Sequence, residues 1–349
     1  MMNARLPLRD RLAFSTNAFT NGQFSCADAI REIAAAGFRA VELLADRPHL
    51  YMHRNDFDRQ LTDLQAALRE TGLRVVNVNA NTASGYYGER DGPPGQTFGP
   101  SFTSVPADFP EMRRVSPCAW RVDYSRRCVE LAARFGCRDV AIASGFVTPR
   151  GDPLAIWEQT RQAYAEVCEF AARHMVRINI EYEPDMLLDD GGSVLRMIDE
   201  VGAANLGVNF DIGHSYCLGE DVCAMGRRIG ARLHTTHVED LLGPTPALHI
   251  DPGHLIPGDG HMPLREILAS LEAQGFEGYH IVELYTYGRP GRDARYAARE
   301  SFRRLTAMTD MIDSRHHQDR FTLNQNYPGP CAQRLAASDR ESQAGPSRE

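Results

Sequence analysis

The sequence predicts an α/β protein, a (β/α)8 TIM barrel. Short apolar strand segments alternate with amphipathic helix segments from about residue 12 to residue 312, at intervals of roughly 30 residues. Eight such units favour a closed parallel barrel over an open doubly wound sheet. The GxGxxG fingerprint of a dinucleotide-binding sheet does not follow the first strand, which weakens the open-sheet alternative.

The strand segments are short apolar runs, such as "RVVNVNA", "DVAIAS" and "LGVNFD", bounded by turn residues. In chain order the strands are predicted at 12–16, 41–45, 74–80, 139–144, 177–183, 206–211, 232–240 and 279–285. The helix segments carry apolar residues three and four apart, and most end at a glycine. They are predicted at 26–37, 56–72, 124–136, 153–174, 192–202, 220–230, 263–275 and 295–312. Residues 1–312 are therefore expected to form one domain.

Two segments interrupt or follow this alternation. Residues 81–121 are too long for an ordinary connection and leave the third strand at the catalytic end of the barrel. We expect a lid-like cover over the pocket, with Tyr86 and Trp120 against the substrate; packing on the barrel wall and a dimer contact are the alternatives. Residues 313–349 have no periodicity, which predicts a mobile tail.

Composition restricts the classes of function. The net charge is −8, so neither nucleic acid nor an anionic membrane is expected as the main partner. No long apolar run or signal peptide is present, which favours a cytoplasmic location. All 38 basic residues are arginine, which excludes Schiff-base lysines, pyridoxal-phosphate attachment and a Walker lysine. The eight cysteines include no CxxC pair, so no zinc ribbon is indicated.

Polar side chains lie at the ends of four consecutive predicted strands. They are Glu181 and Glu183 on the fifth strand, Asp211 on the sixth, His237 and Asp240 on the seventh, and Glu283 on the eighth. The carboxyl ends of barrel strands meet at one rim, where several carboxylates would repel one another. A divalent cation removes that conflict, and oxygen ligands with one imidazole suit Mn²⁺, Mg²⁺, Co²⁺ or Zn²⁺.

Each of these residues also has an ordinary structural role available. Asp211 alone can cap a helix, His237 alone can be a core histidine, and Glu283 can pair with an arginine. All of these roles would have to hold on successive strands, so the cluster as a whole favours a metal site.

The segments "INIEYEP", "LGVNFDIGH", "LHTTHVED", "HLIPGDG" and "FEGYHIVELY" resemble the xylose-isomerase-like barrels, the sugar phosphate isomerase/epimerase family. The resemblance covers roughly residues 12–312. It implies one divalent ion held by Glu181, Asp211, His237 and Glu283, with Glu183 beside the substrate. The alternative is that Glu183 is the ligand from the fifth strand and Glu181 faces the substrate. It places His214, His254 and Asp240 at the substrate; in nuclease relatives the first two positions bind further metal ions.

Two departures from the family patterns restrict the expected number of metal ions and the expected class of substrate. The nuclease relatives have additional histidines on strands two and three, and an aspartate where this chain has Pro252. Ketohexose epimerases carry a substrate-binding arginine where this chain has Gly243. A trinuclear site is therefore not expected, and a simple free ketose is disfavoured as the substrate.

The resemblance implies proton abstraction next to a carbonyl, with Glu181 and Glu283 as the acid–base pair. We predict an isomerase or epimerase acting on a sugar, cyclitol or other polyhydroxylated ketone. The alternatives are a dehydratase of the same fold, a metal-dependent phosphodiesterase on abasic DNA, and a non-catalytic barrel that binds a metabolite. The expected partner is a small-molecule substrate, and a homo-oligomer is compatible with the family.

Overall fold

A computed structural model describes residues 5–46, 48–52, 55–80, 117–145, 152–184, 186–243, 254–289 and 291–325. Eight parallel strands close into a barrel in chain order, with the first strand paired to the last. They are β1 (Leu12–Ser15), β2 (Ala40–Leu44), β3 (Arg74–Asn79), β4 (Asp139–Ala143), β5 (Arg177–Glu181), β6 (Leu206–Asp211), β7 (Leu233–Val238) and β8 (Tyr279–Val282). The predicted (β/α)8 barrel is confirmed.

Helices surround the barrel and bury their apolar faces against its strands. They are α1 (Cys26–Ala36), α2 (Phe57–Thr71), α3 (Pro117–Arg134), α4 (Pro153–Arg173), α5 (Gly191–Val201), α6 (Ile212–Cys217), α7 (Val222–Ile229), α8 (Leu264–Ala273) and α9 (Ala294–Gln325). Gly37 and Gly72 end α1 and α2 in the left-handed conformation, which glycine adopts without steric cost. In the described ranges, no helix has the length and apolar character that crossing a membrane requires.

The two largest differences between predicted and observed boundaries are at the start of α3 and the end of α9. Helix α3 begins at Pro117, so residues 117–121 are helical and not part of a loop; proline is favoured in the first turn of a helix because it lacks an N–H. The remainder of the proposed lid, 81–116, lies outside the described residues. Helix α9 continues to Gln325, beyond the predicted end at Ile312, because no glycine or proline interrupts the chain there.

The interior of the barrel holds an apolar cluster in part of its amino-terminal end and polar side chains from its middle upward. A small apolar cluster of Ala13, Ala40, Val76 and Ile281 fills the amino-terminal part. Above it lie buried polar side chains, namely Glu42, Asn77, Asn79, Asn209 and Thr235. Register shifts between Val41 and Glu42, and between Val208 and Asn209, place Glu42 opposite Asn77 and Asn209 opposite Thr235. The strands therefore carry a polar inner face that leads towards the carboxyl end.

A buried ionic network closes the amino end of the barrel. Glu272, near the end of α8, pairs with Arg11, which precedes β1, and with Arg5. His280 of β8 also lies 3.3 Å from the Glu272 carboxylate. Arg11 donates further hydrogen bonds to the backbone oxygens of Phe276 and Gly278 at 3.1 and 3.0 Å. The network is at the opposite end from the polar strand termini and serves stability.

Candidate metal centre and active site

The structure brings together four side chains from the carboxyl ends of β5 to β8. Glu181, Asp211, His237 and Glu283 are all buried, and each offers one ligand atom within 4.8 Å of the other three. We call these residues the four-residue cluster. They come from four neighbouring strands because parallel strands of a closed barrel end at the same rim.

Each of the two glutamates has one oxygen held by an asparagine. Asn209 Nδ2 donates to Oε2 of Glu181 at 3.1 Å, and Asn79 Nδ2 donates to Oε1 of Glu283 at 3.1 Å. The other oxygens, Oε1 of Glu181 and Oε2 of Glu283, lie 3.1 and 3.5 Å from Nδ1 of His237. Both carboxylates are thus oriented so that one oxygen faces the centre of the cluster.

Asp211 both caps a helix and faces the cluster. Its Oδ1 accepts a hydrogen bond from the backbone N–H of His214 at 2.8 Å, which makes it the N-cap of α6. Its Oδ2 is buried, lies 3.9 Å from Nδ1 of His237, and receives no hydrogen bond from an N–H group of the described residues. Asp211 can therefore be both a helix N-cap and a metal ligand, because the two roles use different oxygens.

Glu42 fixes the orientation of His237 from the opposite side of the barrel. Oε2 of Glu42 lies 2.8 Å from Nε2 of His237 and accepts a second hydrogen bond from Asn77 at 2.7 Å. Burial disfavours the charged form of Glu42, but the electrostatic attraction and hydrogen bond of His237 favour it more strongly, so the pKa of Glu42 is lowered. With Nε2 engaged by a carboxylate, Nδ1 is the atom that faces the cluster, as in metal sites where a carboxylate orients a ligating histidine.

The electrostatics of the cluster fit a divalent cation. Burial lowers the pKa of His237, but the charges of Glu181, Glu283 and Glu42 together raise it well above its usual value. The pKa of Glu283 is raised well above its usual value by burial, and the neighbouring carboxylates add to this effect. Three buried carboxylates repel one another, and Oδ2 of Asp211 has no N–H donor among the described residues. Oxygen donors with one imidazole are the ligands that Mn²⁺, Mg²⁺, Co²⁺ and Zn²⁺ accept.

His214 and His254 lie beside the cluster, with their rings 5.9 Å apart. His214 Nε2 is 3.6 Å from Oδ2 of Asp211, and its Nδ1 is 3.0 Å from the backbone oxygen of Tyr182. Burial lowers the pKa of His214, but Asp211 and Glu183 raise it above its usual value. Burial lowers the pKa of His254 to about 3, so this histidine is neutral. The pair therefore places two imidazoles with opposite pKa shifts next to the cluster.

The family follows from a direct comparison of the sequence. A family model described as "Xylose isomerase-like TIM barrel" matches residues 30–308. The chain belongs to this family.

Individual xylose isomerase-like relatives include enzymes with names of the expected class. Fructoselysine 3-epimerase from Shigella flexneri is 26% identical over 305 residues, which covers 82% of this chain and 97% of the relative. A structure of L-ribulose 3-epimerase has a TM-score of 0.64 at 16% identity and covers 91% of this chain and 99% of its own. The IOLI protein, solved with a binding zinc atom, has a TM-score of 0.65 at 15% identity, with coverage of 86% and 99%. These names support the predicted class, an isomerase or epimerase.

Asp240, which is expected at the substrate of this xylose isomerase-like barrel, also has a structural role. Oδ1 of Asp240 accepts hydrogen bonds from the backbone N–H groups of Leu241 and Met262 at 2.9 and 3.0 Å, and Oδ2 accepts one from Gly258 at 2.8 Å. Both oxygens are engaged by the backbone, so Asp240 holds the loop that carries His254. Contact between Asp240 and substrate stays a prediction.

The remaining predicted residues lie in different places. Glu183 is half-buried directly after β5, close enough to affect the pKa of His214. Trp120 belongs to the first turn of α3, and Tyr86 lies outside the described residues. Their contact with substrate stays a prediction.

Sequence reasoning missed Glu239, a fully buried carboxyl beside Asp211. Burial and the negative charge of Asp211 raise the pKa of Glu239 well above its usual value, so the protonated group can donate a hydrogen bond to Asp211. Gly213 allows this approach, because a methyl group there would overlap the Glu239 carboxyl. Glu239 is two positions after His237, which places both on the same face of an extended chain. That spacing was the available signal.

Proposed function

We propose that the protein is a metal-dependent isomerase or epimerase of a polyhydroxylated ketone, such as a sugar or cyclitol derivative. One divalent ion, Mn²⁺, Mg²⁺, Co²⁺ or Zn²⁺, would be held by Glu181, Asp211, His237 and Glu283. When bound, the ion supplies Lewis-acid stabilisation of negative charge on the substrate oxygens. The single observation that carries the proposal is the pair of glutamates, each with one oxygen fixed by an asparagine and the other facing the cluster.

Glu181 and Glu283 act as the acid–base pair. One carboxylate removes a proton from the carbon next to the carbonyl, and the other returns a proton to the opposite face or to the neighbouring carbon. They reach the cluster from β5 and β8, with the intervening strands supplying Asp211 and His237.

His214, His254 and Glu183 bind the substrate hydroxyl groups. His214 is a donor next to Asp211, and the neutral His254 offers an acceptor at Nε2, because its Nδ1–H donates to the backbone oxygen of Glu283. His214 and His254 are buried, and the low dielectric of a buried site strengthens these contacts. Tyr86 and Trp120 are proposed to stack on the substrate.

The test combines metal content with proton exchange. We expect about one divalent ion per chain, and incorporation of deuterium from D₂O next to the carbonyl of a ketose substrate, stopped by a chelator. Glu181→Gln and Glu283→Gln should lower the exchange rate by about 10²–10⁴-fold. Glu169→Gln is the control, because Glu169 is an exposed α4 residue that pairs only with the exposed Arg173 in the described structure.

Three results would contradict the proposal. A protein that stays metal-free after reconstitution would remove the metal centre. Two or three ions per chain would favour the phosphodiesterase alternative. A product that absorbs in the near ultraviolet, formed with loss of water, would identify a dehydratase instead.

A further inference from the structure

Arg289 lies on the same rim of the barrel as the four-residue cluster. It follows the short 3₁₀ turn Tyr285–Gly288 that comes directly after Glu283. Its guanidinium carbon is 5.7 Å from the centre of the Tyr285 ring, and this ring meets the His254 ring at 4.3 Å. Nδ1 of His254 lies 3.3 Å from the backbone oxygen of Glu283. A continuous series of contacts therefore connects Arg289 to the backbone of Glu283, a member of the cluster.

One edge of the Arg289 guanidinium is buried without a partner. Nε and Nη2 are both shielded from solvent, and neither has a hydrogen-bond acceptor among the described residues. The Tyr285 ring stabilises the positive charge, but a ring face does not replace an acceptor for two adjacent N–H groups. Buried N–H groups of a charged side chain are costly to leave unpaired, so this edge calls for an acceptor.

The two unpaired atoms are the pair that binds an oxyanion side-on. Nε and Nη2 carry parallel N–H groups whose spacing matches the two oxygens of a carboxylate or phosphate. The same protein shows this geometry elsewhere: Arg177 binds Asp139 through Nε at 2.8 Å and Nη2 at 2.6 Å. For Arg289 the structure supplies no such carboxylate within the described ranges.

We propose that Arg289 binds an oxyanion of the substrate, a carboxylate or a phosphate, side-on through Nε and Nη2. The substrate is then an anionic polyhydroxy ketone whose charged group lies at the end remote from the reacting carbon, beyond His254 and Tyr285. Three carboxylates in the cluster and a net charge of −8 repel an anion, so a dedicated arginine is needed to hold one there. This inference rests on the proposed function for the reacting end of the substrate.

Three ketoses are used as probes to measure how the anionic group contributes to binding. They are D-fructose, D-fructose 6-phosphate and D-fructuronate, which are neutral, phosphorylated and carboxylated ketoses. Calorimetric titration of the holoenzyme measures their binding without requiring turnover, and deuterium exchange measures their turnover separately. Inorganic phosphate and acetate are titrated into the protein in the presence of a chelator. These titrations measure the binding of a free anion at Arg289 without any sugar.

Arg289→Gln removes the charge, and Arg289→Lys keeps the charge but loses the side-on pair of donors. Arg292→Gln is the matched control, because Arg292 is exposed and lies 5.6 Å from a different ring, that of Tyr287. We expect one anionic ketose to bind the wild type at least about tenfold more tightly than D-fructose. Arg289→Gln should abolish that preference, Arg289→Lys should retain part of it, and Arg292→Gln should leave it unchanged.

The preferred anion distinguishes phosphate from carboxylate. Two results would overturn the inference. In the first, neither anionic ketose binds the wild type more tightly than it binds Arg289→Gln. In the second, the wild type binds D-fructose as tightly as it binds the two anionic ketoses. If exchange fails with every ketose while the Arg289-dependent preference persists, the proposed function is wrong and the anion site stands. If exchange occurs equally with neutral and anionic ketoses, the proposed function stands and this inference does not.

Discussion

Glu42 and His237 are joined across the barrel interior by a contact of 2.8 Å between Oε2 and Nε2, and neither side chain is exposed. The contact connects β2 to β7 and leaves Nδ1 of His237 facing the three carboxylates of the cluster. Its role is to choose the imidazole nitrogen that is available to a metal ion. Glu42 is therefore a positioning residue, because it acts through His237.

Glu42→Gln should weaken metal binding by about 10–100-fold, because the charged partner that orients His237 and increases its basicity is lost. The measurement is calorimetric titration of Mn²⁺ or Zn²⁺ into chelator-stripped protein. Glu70→Gln is the control, since Glu70 is exposed and pairs with Arg31 at the surface. Equal affinity in wild type and Glu42→Gln would show that His237 needs no partner to be oriented.

Asp211→Asn should separate the two roles of Asp211. Asparagine is as good an N-cap as aspartate, so α6 keeps its first hydrogen bond while the cluster loses a negative charge. We expect metal content to fall sharply, with little change in the free energy of unfolding measured in the presence of a chelator. Asp211→Ala should lose about 1 kcal/mol in the same measurement, because it also removes the cap. A variant Asp211→Asn that retains its metal would contradict a ligand role.

The fold and the four-residue cluster could be predicted because both depend on patterns along the chain. Strand ends meet at one rim in any barrel, so Glu181 and Glu283 could be placed together without coordinates. The polar inner face was missed because the strands were treated as apolar runs. The alternation in "VNVN" and "VNFD" puts Asn79 and Asn209 on the inward face, and it would have selected Glu239 over Asp240.

Other features of the site depend on contacts between distant segments. Nothing local to Glu42 indicates that it faces His237, since the two are on opposite sides of a closed barrel. The absence of an acceptor for Nε and Nη2 of Arg289 among the described residues likewise depends on how far the carboxylates of other segments lie from it. Such relationships require the tertiary structure.

Gly213→Ala should destabilise the protein by about 1–3 kcal/mol, because the added methyl group would overlap the buried carboxyl of Glu239. The sign is informative, since alanine inside a helix is otherwise about 1 kcal/mol more favourable than glycine. Denaturant unfolding in the presence of a chelator measures the effect. The double variant Gly213→Ala/Glu239→Ala should recover most of the loss. If the double variant is as unstable as Gly213→Ala, the clash is not with Glu239.

Glu272→Gln should lower the free energy of unfolding by about 3 kcal/mol at neutral pH, because it leaves the buried Arg11 without its charged partner. Burial opposes the charged carboxylate of Glu272, but His280 and Arg11 outweigh it, so its pKa in the folded protein is below the ordinary 4.5. A lowered carboxyl pKa stabilises the fold above the unfolded-state value, and this stability is lost as the pH falls through the folded-state value. The difference in free energy of unfolding between wild type and variant should therefore be full at pH 7 and shrink below about pH 4.5.

The control is Glu266→Gln, because Glu266 is an exposed residue of the same helix that pairs with Arg265. This variant should change the free energy of unfolding by less than about 1 kcal/mol at any pH. Because the network lies at the amino end of the barrel, metal content should stay unchanged in both variants, and a loss of metal in Glu272→Gln would contradict that separation.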